Sequence, residues 1–192
     1  INTYYDYGRY LLISSSRPDS LPANLQGIWN EEFSPSWGSK YTININTQMN
    51  YWMAEKSGLS ELHMALLKHL KKMYPHGKKV AQEMYGARGF CCHHNTDIWG
   101  DCAPQDNNMS ATIWPMGGAW LCLHLIQHYE YTKDQKFIEE YFEILRDAVL
   151  FFLDYMVKDE NGNWVTGPSS SPENLYQSET GEYGTLCIGP TM

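Results

Sequence analysis

Three short segments of the 192-residue sequence gather the residue types from which hydrolytic chemistry is built. In Tyr41-Thr42-Ile43-Asn44-Ile45-Asn46, apolar and polar residues alternate. An extended backbone sends successive side chains to opposite faces, so Thr42, Asn44 and Asn46 share one face and Tyr41, Ile43 and Ile45 the other. Two convergent amide carbonyls can accept the hydrogens of a water, orienting and polarising it. The same residues also suit a structural task, with Asn46 or Thr47 capping a following helix and Asn44 in a turn. The second segment, Gly167-Pro168-Ser169-Ser170-Ser171-Pro172-Glu173-Asn174, holds a carboxyl group against a rigid Pro in a loop. Burial would raise the pKa of Glu173 until it kept its proton near neutrality, as a general acid must. The alternative is an ordinary exposed loop glutamate. The third segment, His94-Asn95-Thr96-Asp97-Ile98-Trp99-Gly100-Asp101, offers an imidazole, two carboxylates and an aromatic plate. Its alternative is a turn in which Asp97 bonds its own backbone and Trp99 fills the core.

Composition narrows the classes these segments can serve. Hydrophobic residues at 43% and charged residues at 19% describe a chain with a real core, and 192 residues is the size of one domain. Aromatics reach 14%, with seven Trp and fourteen Tyr. Flat rings serve a large core, and they also suit the apolar faces of pyranose sugars in a cleft. A net charge of −8 argues against a nucleic-acid partner, because phosphate binding wants clustered Lys and Arg. The basic run Lys68, Lys71, Lys72, Lys78 and Lys79 reads as a solvated helix face. No apolar run approaches the ~20 residues that span a bilayer. No signal peptide is visible, but the chain opens inside a helix-like segment, so its start is expected to be a cut and the secretion route stays open. Five Cys without regular spacing make no disulfide framework. Cys91-Cys92-His93-His94 suggests zinc, but adjacent side chains in a strand diverge and zinc ligands are usually spaced by two or more residues, so buried free thiols are expected and no metal is assigned. No cofactor is implied.

The elements that must position these segments read as helices. Tyr4, Tyr7 and Leu11 share a face of an opening helix that ends near Ser14-Ser15-Ser16 and Pro18. An irregular stretch covers 17–40. Helices follow at 47–56, closed by Gly58; at 60–73, with Leu62, Leu66, Leu70 and Met73 as the buried stripe; and at 77–85. Residues 86–114 read as non-helical. Pro115 suits the first turn of the next helix, which is apolar all round from Ala119 to Ile126 and is expected to be buried on every side. The last helix, 135–156, repeats Phe137, Tyr141, Ile144, Ala148, Phe152 and Tyr155, and leads into a turn at Asp159-Glu160-Asn161-Gly162-Asn163. Six helices, with the unusual residues concentrated in long loops, predict an all-α fold in three antiparallel pairs, with Asn44, Asn46 and Glu173 at one end. An independent helical bundle or solenoid would show similar periodicity, although no sequence repeat is present.

Five stretches, in this order, resemble glycoside hydrolase family 95, the inverting 1,2-α-L-fucosidases and α-L-galactosidases. They are Leu21-Pro22-Ala23-Asn24-Leu25-Gln26-Gly27-Ile28-Trp29-Asn30, Asn44-Ile45-Asn46-Thr47-Gln48-Met49-Asn50-Tyr51-Trp52, His94-Asn95-Thr96-Asp97-Ile98-Trp99-Gly100, Trp114-Pro115-Met116-Gly117-Gly118-Ala119-Trp120 and Ser169-Ser170-Ser171-Pro172-Glu173-Asn174. The resemblance covers essentially the whole chain. It implies an (α/α)6 barrel flanked by β domains, of which this single partial domain, 1–192, supplies about half. It implies that Glu173 protonates the leaving oxygen while Asn44 and Asn46 hold the attacking water, assisted by an Asp absent from this chain. Thr42, His94, Asp97 and Trp99 are the candidate substrate contacts. Gly189-Pro190-Thr191-Met192 looks like the family's Gly-Pro-Thr-Met-Asp segment cut one residue short, so this piece alone is expected to be inactive. Fucosylated or L-galactosylated glycans are the implied partners, and a secreted, periplasmic or cell-surface location is implied with them. In family members acting on fucose the position of Thr42 is often His. A smaller Thr with its own hydroxyl would make room for, and bond, the C6 hydroxyl that distinguishes L-galactose. Competing readings are another (α/α)6 hydrolase such as a phosphorylase or rhamnosidase-like enzyme, a non-catalytic carbohydrate-binding helical module, and a zinc-binding scaffold.

Overall fold

Three long helices form the body of the computed structural model, which describes residues 1–189; Pro190, Thr191 and Met192, and with them most of the Gly-Pro-Thr-Met match, lie outside the described residues. They are α3 (Ser60–Tyr85), α5 (Gly117–Thr132) and α6 (Gln135–Tyr155). Leu62, Leu66, Leu70 and Met73 of α3 meet Leu121 and Leu125 of α5 and Phe137, Tyr141, Ile144 and Ala148 of α6 in one buried cluster. α5 and α6 form a helical hairpin. Lys133 turns the chain in the left-handed region, and the Asp134 carboxylate caps α6 by accepting from the Lys136 and Phe137 N–H groups.

The predicted helices at 60–73 and 77–85 are one helix, so the expected pairing into three hairpins does not hold as drawn. Pro75 lies inside α3 and is exposed. A proline removes one backbone donor. Here the freed carbonyl belongs to Lys71, itself exposed, so water can satisfy it. On the opposite side Met73, Gly77 and Ala81 carry the buried stripe straight past the proline. Gly77 is needed there, because a Cβ would lie 2.3 Å from the Phe90 ring and 2.5 Å from the Cys91 carbonyl oxygen. The helix expected at 47–56 is shorter, α2 (Asn46–Tyr51), and a one-turn α4 (Met109–Thr112) stands in the stretch read as non-helical.

Burial departs from the sequence pattern at the periphery. On α1 (Asn2–Ser15) the expected face is largely in solvent: Tyr4 and Tyr7 are exposed, and Leu12 and Ser15 are the buried residues. The helix meets the body through its last turns, where Gly8 faces Met53 and Arg9 donates to the Ser57 carbonyl. The stretch of α5 from Ala119 to Ile126, expected to be buried on every side, leaves Leu123 and Ile126 exposed. Phe151, not Phe152, completes the buried stripe of α6. The lysine run is solvated as expected, and Lys71, Lys78 and Lys79 pair with Glu140, Asp147 and Glu83.

The six helices among the described residues match the number expected, and short strands accompany them. β1 (Tyr41–Thr42) pairs antiparallel with β2 (Asn95–Thr96). After α6, β3 (Val157–Lys158), β4 (Trp164–Ser170) and β7 (Leu186–Gly189) make an antiparallel sheet in the order β3-β4-β7, while β5 (Tyr176–Gln177) and β6 (Tyr183–Gly184) form a small ladder. The turn at Asp159–Asn163 joins β3 to β4: Asp159 N donates to Asn163 O at 2.9 Å, and Gly162 takes φ 83°. Burial along β4 does not alternate, since Val165 and Thr166, and again Ser169 and Ser170, are buried side by side, so the strand carries no two-residue period for the sequence to show.

Candidate active site

The amide-bearing segment hangs from the β1–β2 ladder. Tyr41 stands opposite Thr96 and Thr42 opposite Asn95, and the Ile43 N–H donates to the His94 carbonyl at 2.7 Å. The first turn of α5 closes the back of this ladder. A Cβ on Gly117 would lie 2.5 Å from the His93 carbonyl oxygen and 2.8 Å from Ile43 Cδ1, so glycine alone allows that approach. The Gln48 amide donates to the Ile43 carbonyl at 2.6 Å, tying α2 to the same point.

The predicted alternation holds from Tyr41 to Asn44 and then stops. Ile45 turns (φ 179°, ψ −37°), and α2 begins at Asn46 with no side-chain cap, so neither Asn46 nor Thr47 caps it. Ile45 is exposed instead of sharing the buried face of Tyr41 and Ile43. The two amides therefore face adjoining spaces. Asn44 lines a cavity of about 950 Å³ with Ile45, Trp114, Trp120, Phe152 and Glu173. Thr42 and Asn46 line a smaller one of about 340 Å³ with Gln26, Trp37 and, again, Glu173. Asn44 Oδ1 is buried without a protein hydrogen-bond partner, and so is the Trp114 indole N–H. One acceptor and one donor are thus unspent at the larger cavity.

Glu173 sits in a turn closed by Asn174 N donating to Ser171 O at 2.7 Å. The strand before it is anchored. Ser169 and Ser170 are fully buried, Ser170 donates from both N–H and hydroxyl to the Ile113 carbonyl, and the Tyr155 hydroxyl donates to the Pro168 carbonyl at 2.9 Å. Beyond Ser170 the anchoring thins out. Glu173 itself is exposed, so the burial expected to keep it protonated is not supplied by the walls this chain provides.

Of the remaining candidates, His94 is near and two are not. His94 is buried, its Nε2 faces the Asn95 amide at 2.9 Å, and its Nδ1 has no protein partner. Burial pushes its pKa down; the nearby Asp106 carboxylate opposes this, Lys40 adds to it, and Glu173 opposes it. Asp97 does what the structural alternative expected, its Oδ1 accepting from the Trp99 and Asp101 N–H groups at 2.9 and 3.1 Å. Trp99 is exposed under the Lys72 ammonium rather than in the core. Neither lines either cavity. Trp114, Trp120, Gln26 and Trp37 do, and the sequence reading gave them no role, although the first three fall in stretches that carried the family likeness.

The ring nitrogens of the Cys-Cys-His-His run are largely spent on hydrogen bonds: His93 faces Tyr85 Oη at 2.6 Å and the Cys102 carbonyl at 2.8 Å. Cys91 and Cys92 are buried free thiols, and burial pushes their pKa values up. Among the described residues the group able to converge on a metal ion is elsewhere: Glu55, His63 and His128, none of which lines either cavity. Of that group only His128 stands in an i, i+4 pair in the sequence, with His124, which hydrogen-bonds His63.

The sequence matches the glycosyl hydrolase family 95 catalytic domain over residues 1–192. The chain belongs to that family. Its relatives include Alpha-L-fucosidase 2 of Arabidopsis thaliana, 39% identical over 193 residues, which takes in 100% of this chain and 23% of the relative. Probable alpha-fucosidase A of Aspergillus niger is 40% identical over 179 residues, 90% of this chain and 22% of the relative. The chain thus spans under a quarter of the length of these family 95 relatives.

Proposed function

We propose that the full-length protein carrying this chain is an inverting, exo-acting glycoside hydrolase that removes terminal α-L-fucose or α-L-galactose from glycans. Its barrel would be an (α/α)6 toroid of which this chain forms about half. Glu173 is the general acid. Asn44 and Asn46 hold the water, and Thr42 and His94 contact the sugar. The observation that carries this reading is the position of Glu173 on the wall shared by two cavities, one lined by Asn44 and the other by Asn46 and Thr42. An inverting enzyme needs an acid on one side of the sugar and an activated water on the other. The unpartnered Asn44 carbonyl oxygen is free to accept that water's hydrogen. Amide carbonyls are weak bases, so a carboxylate outside residues 1–192 completes the water's activation. The exposed apolar side chains Leu123 and Ile126 of α5 support the half-barrel, since further helices would cover them.

The full-length protein incubated with an α-L-fucoside should release β-L-fucose first, followed by proton NMR before mutarotation. Release of the α anomer first would overturn the inverting assignment. The exposure of Glu173 favours one second reading, a carbohydrate-binding module without catalysis. Glycan binding with no hydrolysis by the full-length protein would select it.

A further inference from the structure

Beneath α2, four buried side chains from three elements converge. Glu55, in the turn after α2, has a fully buried carboxylate. Its Oε1 lies 2.7 Å from His63 Nδ1 and 2.6 Å from His128 Nδ1, and its Oε2 accepts from the Ser60 hydroxyl. His63 Nε2 lies 2.8 Å from His124 Nδ1. Tyr51, the last residue of α2, stacks on His63 with ring centroids 5.8 Å apart. A carboxylate closed off from water needs a cation. Among the described residues no Lys or Arg pairs with Glu55; its ion-pair partners are the two imidazoles.

We propose that Glu55, His63 and His128 bind a first-row divalent metal ion, zinc by preference, which fastens α2 to α3 and α5. One ligand atom from each residue lies within 4.8 Å of the others. Two imidazole nitrogens and one carboxylate oxygen are a donor set that suits zinc. In metal-bound clusters the outer nitrogen of a ligating His and the free oxygen of a ligating carboxylate are commonly held by hydrogen bonds, and His63 Nε2 and Glu55 Oε2 are held in this way. Ser60 holds Oε2 and leaves Oε1 for the ion. With the metal on Nδ1, His63 carries its proton on Nε2 and donates it to His124 Nδ1. Zinc–ligand bonds of about 2.0–2.2 Å at tetrahedral angles set ligand atoms roughly 3.3 Å apart. Each imidazole must therefore retreat from Oε1 by somewhat over half an ångström, within the reach of side-chain rotation. Three protein ligands leave the fourth position to a water. The site lies below the helix that begins at Asn46, so its task is to hold that helix.

The test is metal content of the untagged full-length protein, grown with trace metals and desalted without chelator. The expected result is zinc close to one equivalent per chain by mass spectrometry, and a melting midpoint that falls on exhaustive chelation and returns with added zinc. Glu55→Gln, which keeps the shape and loses the charge, should carry less than about a tenth of the wild-type metal and lose the response to chelator. Wild-type protein with less than about a tenth of an equivalent of any first-row metal, melting identically with chelator and with added zinc, would overturn the proposal. That result would assign the Glu55 counter-charge to a proton on an imidazole. Because this readout uses wild-type protein, it stands even if the variant fails to fold.

Discussion

The two sides of the candidate site are held in different ways. The amide side, Thr42 to Asn46, is clamped by the β1–β2 ladder, by the Gln48 amide and by the first turn of α5 against Ile43. The acid side is anchored up to Ser170 and then runs into a turn where Glu173 and Asn174 stand in solvent. A preorganised acceptor is the part of a hydrolytic site that costs no reorganisation during reaction. The acid's environment, by contrast, must come from walls beyond those this chain places around it.

Changes on the clamped side should therefore act on chemistry first and stability second. Asn44→Ala in the full-length protein should lower kcat by on the order of 10²–10⁴-fold with little change in KM, because it removes an acceptor for the attacking water. A rate within a few-fold of wild type would remove Asn44 from the mechanism. Thr42→His should move the ratio of kcat/KM on L-fucosides over L-galactosides by roughly 10- to 200-fold towards fucose, by filling the space near C6. An unchanged ratio would mean that Thr42 does not face C6.

The contrast in rigidity itself can be measured. Gly117→Ala places a methyl group against the His93 carbonyl and Ile43, and overpacking of this kind costs about 1–3 kcal/mol. Asn174→Ala, in the exposed turn, should stay within about 0.5 kcal/mol of wild type. Paired melting curves check both; equal losses would erase the contrast. A further expectation concerns pH. Burial pushes the imidazoles of His69 and His93 down to about 4 each, with Lys72 adding to the effect at His69. Below the ordinary histidine pKa of about 6.5 the unfolded chain takes up protons that the folded one refuses. Stability should thus be complete above that value and fall as pH drops from about 6.5 towards 4, by on the order of 1 kcal/mol per unit for each histidine. His69→Gln should flatten the decline between pH 7 and 5; an identical slope would show that His69 does not carry it.

The sequence made much of this legible where one period dominates. The stripe Leu62, Leu66, Leu70 and Met73 reads directly onto the core, and the Asp159–Asn163 turn follows from its Asn and Gly. Family likeness, not spacing, singled out Glu173, Asn44 and Asn46. The misses have local causes. The gap expected between the helices 60–73 and 77–85 contains Pro75, and only the folded helix shows that it faces solvent. The strand pairs β1–β2 and β4–β7 join residues far apart in sequence, and the two-residue strands β1 and β2 leave no periodicity to detect. Asp97 and Trp99 stand apart from these: the structure shows Asp97 accepting from the Trp99 and Asp101 N–H groups and Trp99 exposed.

The role of Glu173 is the claim on which the functional account rests, and leaving-group dependence tests it most directly. Turnover of Glu173→Gln relative to wild type should be measured in the full-length protein on a natural α-L-fucosylated glycan and on α-L-fucosyl fluoride, whose departure needs no proton. If Glu173 is the general acid, the glycan rate falls by on the order of 10²–10⁴-fold while the fluoride rate stays within a few-fold. Equal losses on both substrates, or a glycan rate close to wild type, would contradict the assignment.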